Sequence, residues 1–473
     1  MRNVLALFTS MVALSACSLA PRDVRPDLPT ADVYPEYVGD ARAGTRAPQL
    51  RWRDFFADPR LEALIAAALE RNRDLRIAVA QVEEARGLYR IQRADQLPTV
   101  GVSGDATRTR AGAQSAAIST GTTLPSGSTL TIERYSAGVA IASFELDFWG
   151  RVRNLTTAAR NEYLATVEAA RAFRLSLIRD VASAYFASLE ARERLDLAQA
   201  TVDSRREGLR IAKRRLDAGV TSALDYSQAE TLLTQAETEL AALRLSQAQN
   251  ENLLVALVGG PIDGGLPPAV PLAEQTRVEA LAAGLPSDLL TNRPDIVAAE
   301  ARLRAARANI GAARAAFLPS ISLTGSYGYA STDLDELIGE DGLTWSFGPS
   351  ITLPLFDFGR RRANLTVAEA RENIAIADYE RTIQNSFLEV ADALAGRRYL
   401  AEQFEAQQRA LNAQRRLAEL ARTRYREGVV GYLEVLDAER SLFSAEQALL
   451  QVRRAEVANL VGLFVALGGG QLE

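Results

Sequence analysis

Few residues in this chain could do chemistry. Across 473 residues there is no His, one Cys (Cys17) and one Lys (Lys213), so no Ser–His or Cys–His pair and no imidazole metal site can be assembled. No Gly-Lys-Ser/Thr run offers a phosphate loop either. What remains is the lone thiol and the carboxylates of two matching turns, "AGVTSALDYSQAE" at 218–230 and "EGVVGYLEVLDAE" at 427–439. Asp225, Glu434 and Asp437 follow the turn glycines Gly219 and Gly428, and Tyr425 precedes the second turn. Acids in the first turn of a helix are solvated groups favoured by the helix dipole.

The thiol has an address. "MRNVLALFTSMVALSAC" has Arg2, an apolar run from Val4 to Leu14 too short to span a bilayer, and then Leu-Ser-Ala-Cys. This reads as a lipoprotein signal over residues 1–16, whose removal leaves Cys17 as the new N-terminus, lipidated on sulfur and amine. Ser18 rather than Asp follows, which points to outer-membrane sorting. No other cofactor is expected. The 54 basic and 59 acidic residues are interspersed, giving a net charge of −5 and no basic stripe, so nucleic acid is not an expected partner.

The two turns sit inside a duplication. Asp74 to Pro98 and Asp295 to Pro319 both span 24 residues, and "LDFWGR" (146–151) is echoed by "FDFGR" (356–360). Gly150 to Gly219 and Gly359 to Gly428 both span 69 residues, so two signposts keep one spacing. After a Pro-rich arm (17–60), each half reads helix, two strands, very long helix, turn, long helix. The first repeat covers 61–258, with strands near 99–106 and 135–147 and a helical hairpin at 151–258. A Pro/Gly-rich linker (259–291) leads to the second repeat (292–467), with strands near 320–330 and 343–355, a hairpin at 360–467 and a tail at 468–473.

The return helices carry a 3/4 apolar seam from Tyr226 to Leu257 that recurs 209 residues later from Val435 to Ala466, down to Asn250 and Asn459. Gly219 and Gly428 fall where a left-handed cap would end each outgoing helix. In the second half Ile321, Leu323, Tyr327 and Tyr329 alternate with Ser and Thr, and Leu343, Trp345, Phe347 and Ile351 do likewise. Segments near ~10 residues with one apolar and one small-polar face fit transmembrane strands with a wet interior. "TRAGAQSAAISTGTTLPSGSTLTIER" and "STDLDELIGEDG" read as surface loops between them. Four strands cannot close a barrel and open edges are costly in lipid, so three copies making twelve strands are expected.

The stretch "GLPSDLLTNRPDIVAAEARLRAARANIGAARAAFLPSISLTGSYG" (284–328), with "PLFDFGRRRANL" and "YREGVVGYLEVLDAERSL", resembles the TolC-like outer-membrane efflux factors, in their OprM/NodT-type lipoprotein branch. The resemblance implies a mostly α homotrimer: a twelve-stranded transmembrane β-barrel continuing into a long α-helical coiled-coil barrel, with a mixed belt built from the linker and the chain ends. It implies an exit duct without enzymatic activity, docked on a periplasmic adaptor (membrane fusion) protein and an inner-membrane pump of the RND type, passing drugs or other solutes outward. The two turns would form a periplasmic constriction, with Asp225, Glu434, Asp437 and Tyr425 at matching positions. Some relatives tie this tip shut with a basic residue two places after the turn glycine. Val430 stands there, leaving Arg422, Arg424 or Arg426 as substitutes. A competing reading, a non-channel coiled-coil lipoprotein or adaptor, accounts for Cys17 and the heptads but not for the strands.

Overall fold

The computed structural model describes residues 19–22, 24, 26, 29–31, 33–34, 44–113, 125, 127–262, 264–277, 281–284 and 286–471. The signal segment and Cys17 lie outside them. In chain order the main elements are α1 (Pro59–Arg71), α2 (Arg73–Ala94), β1 (Val100–Gly112), β2 (Thr129–Glu145), α3 (Arg151–Asp217), α4 (Ala223–Val258), α5 (Pro294–Ala315), β3 (Ser320–Ser331), β4 (Leu343–Thr352), α6 (Arg360–Arg426) and α7 (Tyr432–Ala466). The duplication is literal in its longest members, since α3 and α6 each have 67 residues and start 209 apart. Contacts group the chain into two compact units, one of residues 1–25, 83–164 and 300–377, the other of residues 26–82, 165–299 and 378–473. Each unit draws on both halves of the sequence, so packing does not follow the tandem repeats.

The first unit holds one antiparallel sheet in the order β1-β2-β3-β4, which leaves β1 and β4 as unpaired edges within a chain. Directly opposed residues share a face, and the register aligns Val102 with Val139, Val139 with Tyr327, and Tyr327 with Trp345. Beside that row run Val100, Ile141, Gly325 and Phe347. The opposite face carries Gly101, Ala140, Ser326 and Ser346, with the last two hydroxyls hydrogen-bonded at 2.7 Å. Gly138 and Gly328 oppose each other between β2 and β3, and no side chain fits there, because a Cβ at Gly328 would lie 2.4 Å from the Ala137 carbonyl oxygen.

Three strand limits differ clearly from the sequence reading. Residues 107–112 and 129–134, outside the strand limits read from the sequence, are paired strand, and Arg108 meets Glu133 across the ladder at 3.0 Å. Thr and Arg there lack the apolar alternation that signals a strand, yet the opposed charges and β-branched residues stabilise the pairing. β4 stops at Thr352 instead of 355, where the approaching Pro354 has no N–H to give a ladder. Each sheet-to-helix crossing turns on a glycine with positive φ, 75° at Gly150 and 86° at Gly359. Asp147 and Asp357 accept the first-turn amides of Arg153 at 2.8 Å and Arg361 at 3.1 Å, which have no partner within the helix.

In the second unit the C-terminal end of the stretch read as an extended arm, from Trp52 to Asp58, belongs instead to the core. Phe55 and Phe56 are fully buried, and Phe55 stacks on Phe464 of α7 with centroids 4.2 Å apart. The arm's Pro content hid two aromatics whose burial outweighs the local lack of periodicity. Asp58, also fully buried, caps α1 through the Arg60 amide at 2.8 Å. Its other oxygen accepts from Tyr185 of α3 at 2.6 Å, and from the Val270 amide and Gln275 amide nitrogen at 3.1 Å each. Burying that carboxylate is tolerated because hydrogen bonds replace its water. Linker and chain ends meet here, with Thr45 bridged to Leu281 and the Gly470 amide donating to Leu50 O at 3.2 Å. Gly468 packs against the backbone of Asn292, where a Cβ would come within 2.3 Å of the carbonyl oxygen.

Candidate gate at the hairpin tips

Both hairpins lie within the second unit over most of their length, and their tips are built alike. α3 ends in a Schellman cap: Gly219 has φ 72°, its amide donates to Leu216 O at 2.9 Å, and Val220 N donates to Arg215 O at 2.9 Å. α6 repeats it with Gly428 at φ 73°, Gly428 N donating to Tyr425 O at 3.0 Å and Val429 N to Arg424 O at 2.9 Å. A side chain at either glycine would strain the left-handed conformation.

The helices that leave the turns start differently. Ser222 and Asp225 form a capping box: Ser222 Oγ accepts from the Asp225 amide at 3.2 Å, while Asp225 Oδ2 accepts from the Ser222 amide at 3.3 Å. The same oxygen accepts from the Thr221 hydroxyl at 2.7 Å and the Ser222 hydroxyl at 3.0 Å. The Thr221 hydroxyl first, then the Ser222 amide and hydroxyl, hold the Asp225 carboxyl below the usual carboxylate range. Because the folded value lies below the unfolded one, the box contributes fully above about pH 4 and is lost as pH falls through the depressed value. The Ser222 amide, which donates to the Asp225 carboxylate, should therefore keep its protection against hydrogen exchange at mildly acid pH and lose it, relative to the intrinsic rate, as the carboxyl protonates. Ser222→Ala should accelerate exchange at the Asp225 amide at neutral pH, at a local cost of about 1 kcal/mol. Equal exchange in both proteins would mean that the box does not hold the turn.

In the second copy Gly431 replaces the capping Ser and offers no side chain. Glu434, at the Asp225 position, instead accepts from Arg424 at 2.6 Å, tying α7 back to α6. Arg422 bonds Glu439 at 2.9 Å across the same pair of helices. Asp437 pairs with Arg440 one turn along its own helix, both largely exposed. Arg426 reaches Thr423 within α6 at 3.2 Å. Of the three arginines considered, two fasten the second hairpin to itself and none joins the two hairpins.

At the tips the hairpins are linked through Arg215, which the sequence reading missed. Its guanidinium donates to the Tyr425 hydroxyl and lies 5.6 Å from that ring's centroid. Tyr425 also packs at 5.1 Å on Tyr432, the first residue of α7. Burial, then Glu439 and Tyr425, push the Tyr432 hydroxyl above its ordinary value. That hydroxyl sits over Gly208 of α3, where an added Cβ would be 2.5 Å away. A lone glycine inside a long helix was the available signal, since it costs about 1 kcal/mol relative to Ala unless something packs there. Tyr425, Tyr432, Arg422, Arg426 and Glu439 border a cavity of about 510 Å³. Asp225, Glu434 and Asp437 do not converge within one chain; each has its own partner, and among the described residues no group of three acids is placed to hold a metal.

Duplicated hairpins with matched caps, joined to a four-stranded sheet with an apolar face, define a TolC-like outer-membrane efflux protein. The description "outer membrane efflux protein" fits residues 64–260 and 285–469, and the chain belongs to that family. It is 42% identical over 465 residues to the solvent efflux pump outer membrane protein SrpC of Pseudomonas putida, covering 98% of this chain and 97% of that one. It is 41% identical to the cation efflux system protein CusC of Escherichia coli O6:H1, covering 98% of each. The open-state outer membrane channel MtrE of Neisseria gonorrhoeae superposes with a TM-score of 0.86 at 40% identity, covering 96% of this chain and 99% of that one.

Proposed function

We propose that this chain is the outer-membrane exit duct of a tripartite efflux system, working as a homotrimer with a periplasmic adaptor and an inner-membrane pump of the RND type, and passing drugs or other solutes outward. The observation that carries this reading is the sheet. It has two free edges and an apolar face continuous across all four strands, an arrangement that is stable in lipid only if copies close it. Three copies give twelve strands, within the range of known barrels. A coiled-coil spacer would have no use for such a surface. Purified protein should conduct ions across a planar bilayer, and an absence of conductance from correctly assembled trimer would favour the spacer.

The reading includes the lipid on Cys17, which lies outside the described residues. Intact mass of the mature protein should begin at Cys17 with added acyl chains, and Cys17→Ser should leave an unlipidated chain that still trimerises. Recovery of residues 2–16 in the mature protein would remove the anchor from the proposal. The tip acids belong to it as well. Three copies bring three Asp437 carboxylates, and with Asp225 and Glu434 up to nine acids, toward one axis, where Arg215 and Tyr425 hold the two hairpins of each copy together.

A further inference from the structure

α7 has a second packed stripe that its seam with α6 does not use. Phe443 packs on the first hairpin's core of Val202, Leu233, Ala236 and Leu240. Farther along, Gln447 accepts from Arg194 at 2.7 Å and Arg454 meets the buried Glu190 at 2.5 Å. Between this polar cluster and the tips, a cavity of about 370 Å³ opens where the two hairpins meet.

Arg205 of α3 lines that cavity and is only 8% exposed. One of its nitrogens donates to Leu232 O at 2.8 Å, and its guanidinium carbon lies 5.9 Å from the Phe443 centroid. No carboxylate stands within ion-pair distance of it among the described residues. Glu239 also lines the cavity, but its carboxylate is engaged by Arg194 at 3.4 Å, and Glu439 is engaged by Arg422 at 2.9 Å. Arg440 lines the same cavity and adds like charge. Burial lowers the basicity of this guanidinium, with the charge of Glu439 offsetting the effect in part and that of Arg440 adding to it.

The duplication supplies an internal control. The residue 209 positions after Arg205 is Gln414, so the second hairpin closes the equivalent helix pair with no cation at that position. Hairpin packing therefore does not require Arg205. We propose that Arg205 and the cavity between the hairpins form a binding site for a small organic carboxylate. The fork of the guanidinium suits a carboxylate's two oxygens. Arg440 adds positive potential, Gln235 and Gln451 offer hydrogen bonds, and Phe443 and Ala236 receive an apolar body. The site stands on these residues alone and does not depend on the duct reading.

Benzoate is the probe. Titrated calorimetrically into the full-length, detergent-purified protein at low salt, it should bind saturably at one site per chain, more weakly as salt is raised. Benzamide, of the same shape without the charge, should show no saturable binding. Arg205→Gln should weaken benzoate at least about tenfold, the loss expected for a charged hydrogen bond, and Arg205→Lys should fall between. Gln already serves at the matching position of the other hairpin, so the variant is expected to fold. Should it fail to, the benzoate–benzamide contrast on the unaltered protein decides by itself. Non-saturable benzoate, equal binding by benzamide, or undiminished binding by folded Arg205→Gln would each overturn the site.

Discussion

Replacing Phe347 with Arg should all but eliminate assembled trimer in outer-membrane extracts, while Arg at the neighbouring Ser346 should leave most of it. Phe347 is 65% exposed in the single chain and lies on the apolar face, opposite Gly325 and beside Trp345. If that face meets lipid near the midplane, an arginine there costs about 2–4 kcal/mol per copy. That corresponds to roughly 30- to 1000-fold in assembly for each copy, and three copies are affected together. Ser346 projects to the other face, where its hydroxyl bonds Ser326 at 2.7 Å. An arginine there loses one neutral hydrogen bond and enters water, a loss of about 1 kcal/mol. The measurement is trimer recovered after extraction at equal expression. Similar yields for the two variants would mean that the faces are not lipid and lumen, and the barrel reading would fall with them.

How much of this was legible beforehand depended on how local the signal was. The hairpins and their glycine caps follow from heptads and turn chemistry within a few tens of residues, and the second-half strands from strict alternation. β1 and β2 were cut short because Thr107 to Gly112 carry no apolar period, and their pairing with Thr129 to Arg134 is visible only as a ladder. Phe55 and Phe56 sat in a Pro-rich stretch, and their partner Phe464 is some four hundred residues away in sequence. The second stripe of α7, with Phe443, Gln447 and Arg454, was hidden under the stronger seam on the same helix. Its polar members gave no sign that they faced another hairpin.

The tip shows the same limit at finer grain. Asp225 and Glu434 occupy equivalent positions yet do different local jobs, because Ser222 completes a capping box and Gly431 cannot. Neutralising Asp225 by Ala would remove the cap and the charge together. Asp225→Asn can still accept the Ser222 amide, so it separates the two effects. Asp437 is the cleaner carboxylate, paired only with Arg440 on an exposed helix face, where such a pair contributes little to stability.

Breaking the join between hairpins should have the larger effect on the pore. Tyr425 accepts from Arg215 on one side and packs on Tyr432 on the other. Tyr425→Ala removes both contacts in each copy while leaving the Schellman cap, which is backbone only. In planar bilayers the unaltered protein should show a small, cation-selective conductance at 0.1 M salt, where the Debye length is ~10 Å, and lose selectivity near 1 M, where it is ~3 Å. Tyr425→Ala should raise conductance several-fold and keep cation selectivity, because the acids remain. Asp437→Ala should do the reverse, lowering selectivity with a smaller rise in conductance, and adding Asp225→Asn should lower selectivity further. Reversal potentials across a salt gradient, taken with single-channel currents on each variant, separate the two effects. If Tyr425→Ala leaves conductance unchanged, the tips do not form the constriction. If Asp437→Ala leaves the reversal potential unchanged, its carboxylate stands away from the ion path and serves only the start of α7.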